Sequence, residues 1–355
     1  MVEDITKISI KNLEHSRLST VDWENLPFGK VFSDHMFTMN YVNGQWENPE
    51  IIPYGNIDMS PATSVLHYGQ SCFEGMKAHK NDKGEVLLFR VNENIERLNI
   101  SAARMCMPII PKELFIEALK ALLELDRKWV PSLKGYSLYI RPFIIATDPY
   151  VGIRPSETYK FIIFTCPVGA YYSSPVPVKI ETEYSRAVQG GTGFAKAAGN
   201  YAAALYPAKL GQDNGYAQLI WTDAKEHKYI EEAGTMNVIF RIGDKLITPK
   251  SGDTILDGIT KRSVLDIARS WGHEVEERRI TVEEIIKAFE NGTIQEAFGA
   301  GTAATIASIN CIHFKGQDYF LPEPNKDFFS TKVLNYLNDY KKGMVEDKFN
   351  WLIRI

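Results

Sequence analysis

The stretch 190–201, GGTGFAKAAGNY, sets one lysine, Lys196, among residues with little or no side chain. Small neighbours let a bulky group approach the backbone closely while leaving one reactive amine exposed to it. The same residues also read as a flexible surface loop with a solvated lysine, because glycine-rich loops are common. Taken alone, the segment leaves both readings open. The familiar chemical motifs are missing elsewhere. There is no GxxxxGK[ST] phosphate loop, and Lys196 stands where GxGxxG needs its last glycine. The seven histidines include no HExxH or other close ligand pair, which argues against a dedicated metal site. No GxSxG elbow occurs.

The elements that must position such a lysine come from a chain of 355 residues, long for one domain and comfortable for two. Hydrophobic residues make up 45% and charged residues 24%, ordinary globular composition. A formal charge of −4 provides no general basic field for nucleic acid or an anionic membrane. No apolar run approaches the roughly 18 residues that would span a bilayer. The N-terminus has early acids and no apolar h-region, so no signal or transit peptide is expected. Cys72, Cys106, Cys166 and Cys311 are far apart and read as reduced, mostly buried thiols of a cytoplasmic protein.

Strands dominate the first half. MFTMNYV runs into Asn43-Gly44 and then Gln45-Trp46, a strong hairpin signal. Two strands surround the Asn81–Gly84 turn within 73–90. A helix follows from about Asn92, with Ile95, Leu98, Ala102 and Met105 recurring on one face. A second helical stretch, ELFIEALKALLELDRKW, precedes the strands SLYIRPFIIAT and YKFIIFTC. In the second half QLIWTD, KYIEE, NVIFRI and KLITP are short strands, the last two joined at Gly243-Asp244. SVLDIARSWG is a helix ending at Gly272, and Thr281 with Glu284 forms a capping-box pattern ahead of IIKAFE. The fold class is therefore strand-rich α+β in two domains. GAYYSSPVPVKI, with Pro175 and Pro177 disfavouring helix, places the linker at 170–177. It separates a smaller N-terminal α/β domain, 1–169, from a larger C-terminal domain, 178–355, that carries Lys196.

In order and spacing, LHYGQSCFEGMKA, LFRVNENIERL, SLYIRP, CPVGAYY, GTGFAKAAGNYAAAL, IEEAGTMN, DGITKRSVLDIA and FGAGTAA resemble the fold-type IV pyridoxal-phosphate enzymes. Within these the chain is similar to the branched-chain aminotransferases of the larger, eukaryotic-like class. The resemblance covers most of the chain, from Phe28 to beyond GAGTAA. It implies that the protein transfers amino groups between branched-chain L-amino acids and 2-oxoglutarate, using pyridoxal 5'-phosphate. That cofactor needs a lysine amine, an acid opposite the pyridine nitrogen and an anion cradle. Lys196 matches the family's Schiff-base lysine, whose freed amine moves a proton at the substrate's Cα. Glu232 matches the carboxylate facing the pyridine nitrogen. Glu231 beside it falls on the opposite face of the strand and reads as exposed. Tyr201 matches the hydroxyl on the phenolic oxygen. Arg97, the helix start at Gly258, Ile259 and Thr260, and Thr302 match the phosphate cradle, with Arg186 as a supporting partner.

The resemblance also draws a substrate pocket from Phe28, Tyr68, Phe73, Tyr139, Arg141, Tyr171, Thr235, Met236 and Ala303. Val151 and Ile153 match a loop that reaches a partner subunit, which implies a homodimer. Arg141 is either the group that meets glutamate's second carboxylate or an arginine held in a structural ion pair. The partners implied are amino acids and 2-oxo acids, with no nucleic acid and no membrane. In one respect the chain departs from the family. Where some members carry a CxxC thiol switch after GTA, this chain has Ala304-Thr305-Ile306-Ala307. The rival readings are a D-amino-acid aminotransferase, an aminodeoxychorismate lyase, or a non-catalytic binder of a phosphorylated ligand.

Overall fold

The computed structural model describes residues 7–169, 171–172 and 174–355. The first six residues of the N-terminus, and Ala170 and Ser173 of the expected linker, lie outside the described residues. The chain forms two compact units. The first comprises Met1–Tyr171, Ala195–Gly199 and Asp339–Ile355; the second comprises Tyr172–Phe194 and Asn200–Asn338. This differs from a single cut near 170–177, which would leave Lys196 and the C-terminus in the second body. Backbone pairing is the reason. Leu352–Arg354 hydrogen-bonds to a strand of the first unit, and Ala197 bridges to Cys72.

In the first unit the strands are β1 Ser9–Ile10, β2 His35–Val42, β3 Gln45–Pro53, β4 Ser71–Phe73, β5 Met76–Lys80, β6 Val86–Phe89, β7 Ser137–Ala146 and β8 Tyr159–Val168. Their order is β1-β3-β2-β8-β7-β5-β6, with Leu352–Arg354 outside β6 and β4 on β7. The β2–β3 hairpin turns at Asn43 and Gly44, both with positive φ (52° and 84°), as a two-residue primed turn requires. Helix α1 is Ser64–Tyr68, α2 is Val91–Arg104 and α3 is Lys112–Leu125. Helix α2 buries Val91, Ile95, Leu98 and Ala102; α3 buries Leu114, Phe115, Ala118, Leu119, Leu122 and Leu123. Both stripes repeat at helical spacing and join one apolar core with the inward residues of the sheet.

In the second unit the elements are β9 Val176–Ile180, α4 Ala198–Asp213 (its first two residues belong to the first unit), β10 Gln218–Thr222, β11 Tyr229–Ala233, β12 Asn237–Ile242 and β13 Lys245–Pro249. They continue with α5 Ile259–Ser270, β14 Glu274–Arg278, β15 Ile280–Thr281, α6 Val282–Glu290, β16 Ile294–Gly301, β17 Thr305–Phe314, β18 Gln317–Phe320 and α7 Phe329–Lys341, whose end from Asp339 belongs to the first unit. The sheet runs β14-β13-β12-β16-β17-β9-β10-β11-β15, with β18 on β17. Pro177, expected in the linker, already lies inside β9 opposite Cys311. Helix α4 has no counterpart in the sequence reading. Its apolar residues do not gather on one face, it contains Pro207, and it buries only Asn200, Pro207 and Gly211 among its residues. The cap of α6 closes on one side. Thr281 Oγ1 accepts the Glu284 N–H at 3.0 Å, while the Glu284 carboxylate turns to Arg278. Among the described residues no helix is long and apolar enough to cross a membrane.

Candidate active site

Lys196 is half-buried, and its peptide is fixed from both sides within the first unit. Its N–H donates to Ser101 Oγ on α2 at 2.9 Å, and its carbonyl accepts the Phe73 N–H at the end of β4 at 3.1 Å. The amine lies 5.0 Å from the centre of the Phe73 ring. A freely solvated loop lysine does not have these contacts. One glycine of the segment, Gly193, has another cause than the cleared space expected of it. At Gly193, a Cβ would stand 2.6 Å from the Ala187 Cβ and 2.8 Å from the Thr254 Cα. Close chain packing therefore excludes a side chain there.

Arg97 projects from α2 onto Glu74, which follows β4. Its Nε and Nη2 meet the two carboxylate oxygens at 2.7 and 2.9 Å, and Asn94 donates to the same carboxylate at 2.8 Å. Glu74 has no exposed surface. Burial alone would raise its pKa. The charge and hydrogen bonds of Arg97, the nearby Lys196 charge and Asn94 outweigh this and hold it below the usual range. The sequence reading missed Glu74 as a partner. Its signal was a carboxylate inside the apolar strand run SCFEGM.

Strand β7 supplies the aromatic wall. Tyr139 and Arg141 are two residues apart and share a face. Arg141 Nη2 donates to the Tyr139 hydroxyl at 3.0 Å, and the guanidinium stands 4.6 Å above the Phe73 ring. Phe28 packs edge-on to Tyr139 and Tyr171 at 5.5 and 5.0 Å. Among the described residues Arg141 has no carboxylate partner, and its buried Nε makes no hydrogen bond. Tyr68, at the end of α1, donates its hydroxyl to the Val151 carbonyl. The loop it holds leaves Val151 and Ile153 61% and 90% exposed.

The second unit carries the other set. Glu232 on β11 is buried, and Leu256 N–H donates to its Oε2 at 3.1 Å. Arg186 Nε lies 3.0 Å from Glu232 Oε1, an ion pair off the line of the N–H, while its Nη2 binds the carbonyls of Gly193 (at 3.2 Å) and Thr254. Arg186 thus supports Glu232 rather than the phosphate cradle. Glu231, expected to be exposed, is buried too: it accepts from Thr254 Oγ1 at 2.5 Å, and burial raises its pKa. Alternation did separate the two carboxylates, but both faces of β11 are covered.

Helix α5 follows its N-cap residue Gly258, which has no side chain to cap the first turn. A Cβ there would sit 1.8 Å from Asn237 Oδ1, so a side chain at this position would have to displace the Asn237 amide. The amides of Ile259 and Thr260 belong to that open turn, a site suited to a phosphate. Thr302 and Ala303 form the half-buried turn between β16 and β17. Met236 is buried over Gly299, while Thr235 is exposed. Tyr201 is half-buried in the first turn of α4.

Residues 71–312 match the family model of the class IV aminotransferases, and the chain belongs to that family. Proteins of this family use pyridoxal phosphate. More particularly, the chain is similar to branched-chain-amino-acid aminotransferase 2 of Bacillus subtilis, 42% identical over 99% of this chain and 98% of the relative. It is also similar to branched-chain-amino-acid transaminase 1 of the same organism, 44% identical over 94% of this chain and 95% of the relative. Among solved structures, the branched-chain amino acid aminotransferase of Escherichia coli aligns with a TM-score of 0.74 at 25% identity, over 90% of this chain and 98% of that one.

Proposed function

We propose that this protein is a cytoplasmic, homodimeric branched-chain aminotransferase. It moves the amino group of leucine, isoleucine or valine to 2-oxoglutarate, giving branched 2-oxo acids and L-glutamate. The observation that carries this reading is the wall of Phe73, Tyr139 and Phe28 with Arg141 set in it, a guanidinium with no carboxylate partner among the described residues. Aromatic surface suits an aliphatic side chain, whose burial contributes roughly 1.5–3 kcal/mol. Glutamate brings a second carboxylate that an apolar wall alone would reject. Arg141 meets it, with the Tyr139 and Tyr68 hydroxyls assisting.

The residues present fit pyridoxal phosphate. A helix start whose N-cap residue, Gly258, carries no side chain is suited to an anion, and Glu232 is a buried carboxylate oriented by Arg186. When bound, the cofactor supplies an electron sink for the substrate's α-carbon. Arg97, Thr302 and the first amides of α5 hold its phosphate, with Glu74 fixing the plane of the Arg97 guanidinium. Glu232, oriented by Arg186, keeps a proton on the pyridine nitrogen, and Tyr201 bonds the phenolic oxygen. Lys196 Nζ takes the proton from the substrate's Cα. Ala303 binds the α-carboxylate through backbone amides, while Thr235, Met236 and Tyr171 complete the pocket. The exposed pair Val151 and Ile153 is apolar surface suited to burial against a second copy.

Purified protein should form glutamate from leucine and 2-oxoglutarate; no glutamate with the cofactor supplied would overturn the reading. Arg141→Ala should lower kcat/KM for glutamate and 2-oxoglutarate by roughly 10- to 150-fold, the weight of a charge-assisted hydrogen bond, and far less for leucine. An equal loss for both substrates would return Arg141 to a structural role.

A further inference from the structure

Ser101 lies in the last turn of α2 and is fully buried. Its hydroxyl accepts the Lys196 N–H at 2.9 Å and donates to the Arg97 carbonyl, one turn earlier on the same helix, at 2.9 Å. Both capacities of the hydroxyl are therefore used, and they join the peptides of the two residues. Small side chains flank Lys196, and its segment is also held through its backbone by the Phe73 N–H on the Lys196 carbonyl and by the Ala197–Cys72 bridge. Ala195 and Ala197 present only methyl groups, and a Cβ on Gly199 would meet nothing within 4 Å. Interlocking side chains cannot hold such a segment in register, so hydrogen bonds to its backbone do. The position of the Lys196 Cα in turn sets where its amine can reach.

We infer that Ser101 is a positioning residue for transamination, coupling the placement of Lys196 to the helix that carries Arg97. The inference rests on the roles proposed above for those two residues. A displacement of about 1 Å in a reacting group lowers turnover by as much as roughly 100-fold. Loss of the hydroxyl leaves the part-buried Lys196 N–H without this acceptor. Alanine is also the best helix former, which offsets part of any loss in the stability of α2. Catalytic and spectroscopic effects should therefore exceed the effect on stability.

The test compares the wild-type holoenzyme with Ser101→Ala and Ser101→Cys, the second being nearly isosteric with a weaker donor and acceptor. For Ser101→Ala, kcat with leucine should fall roughly 10- to 100-fold with KM little changed. The pH midpoint of the bound cofactor's visible absorption should shift, and a brief borohydride pulse should fix less cofactor on Lys196. Ser101→Cys should fall between. Wild-type turnover, absorption titration and borohydride yield in folded Ser101→Ala would overturn the inference, as would a loss confined to Tm. If Ser101→Ala does not fold, the same readouts on Ser101→Cys decide it in the same way. Wild-type enzyme labelled on some lysine other than Lys196 would instead defeat the functional reading, and this inference with it. Correct wild-type labelling with unaffected Ser101 variants defeats the inference alone.

Discussion

Glu74 shows how much a single side chain can hold. It brings a carboxylate into a site with no exposed surface and keeps it charged through Arg97 and Asn94. Removing one member of a buried pair leaves the other as an uncompensated charge, worth about 3–5 kcal/mol of destabilisation. Glu74→Ala should therefore lower stability by that order in urea unfolding, and should weaken pyridoxal phosphate binding because Arg97 loses its fixed plane. A change below about 1 kcal/mol would show that the pair is solvated or replaceable. The sign of the pH effect follows from the depressed pKa. The stabilisation is present above the usual carboxylate range and is lost as pH falls through the folded-state value.

Among the elements, α7 ends on a residue that its own helix does not explain. Lys341 is buried, with its amine 5.4 Å from the centre of the Phe89 ring, and burial together with the nearby Lys77 charge lowers its pKa to about 7. Close by, burial and these two lysines push His79 well below its ordinary pKa, so it is neutral, and its Nε2 has no hydrogen-bond partner among the described residues. An unfolded lysine binds its proton up to about pH 10.4, so between about pH 7 and that value folding releases a proton and stability rises with pH. Lys341→Met should raise Tm at pH 7, with the advantage shrinking steadily as pH approaches 10. An advantage that does not change with pH would mean that packing, not titration, is responsible.

At the scale of the whole molecule, the loop that Tyr68 ties through Val151 presents Ile153 at 90% exposure. Large apolar side chains in such positions mark association surfaces when they occur together. In the homodimer proposed above, Ile153→Asp should shift sedimentation towards monomer and lower turnover at dilute protein concentration, with partial recovery as the concentration rises. A variant that stays dimeric and fully active would remove the loop from the subunit interface. The class IV family match and the curated relatives at 42% and 44% identity, which span nearly the whole chain, set the reaction type against which these outcomes are read.

What was legible without coordinates were the features whose causes are local. The Asn43-Gly44 turn, the stripe of Ile95, Leu98 and Ala102, the Thr281 cap and the open start of α5 each follow from backbone preference and spacing over a few residues. The motifs also carried the family, because their order along the chain is itself sequence information. Tertiary structure decided everything that depended on residues distant in the chain. Glu231 is buried because both faces of β11 are covered, which no alternation pattern can report. Arg186 was free in sequence to serve the phosphate, and the fold brings it 3.0 Å from Glu232. Helix α4 escaped the pattern because its apolar residues follow no single face. The motif matched Lys196 to the family's lysine, but only the paired chain shows its peptide held by Ser101 and Phe73, 95 residues away in sequence in the case of Ser101. Periodicity records which face of an element is apolar. It carries no record of what will cover that face or of which distant hydroxyl will meet a given N–H.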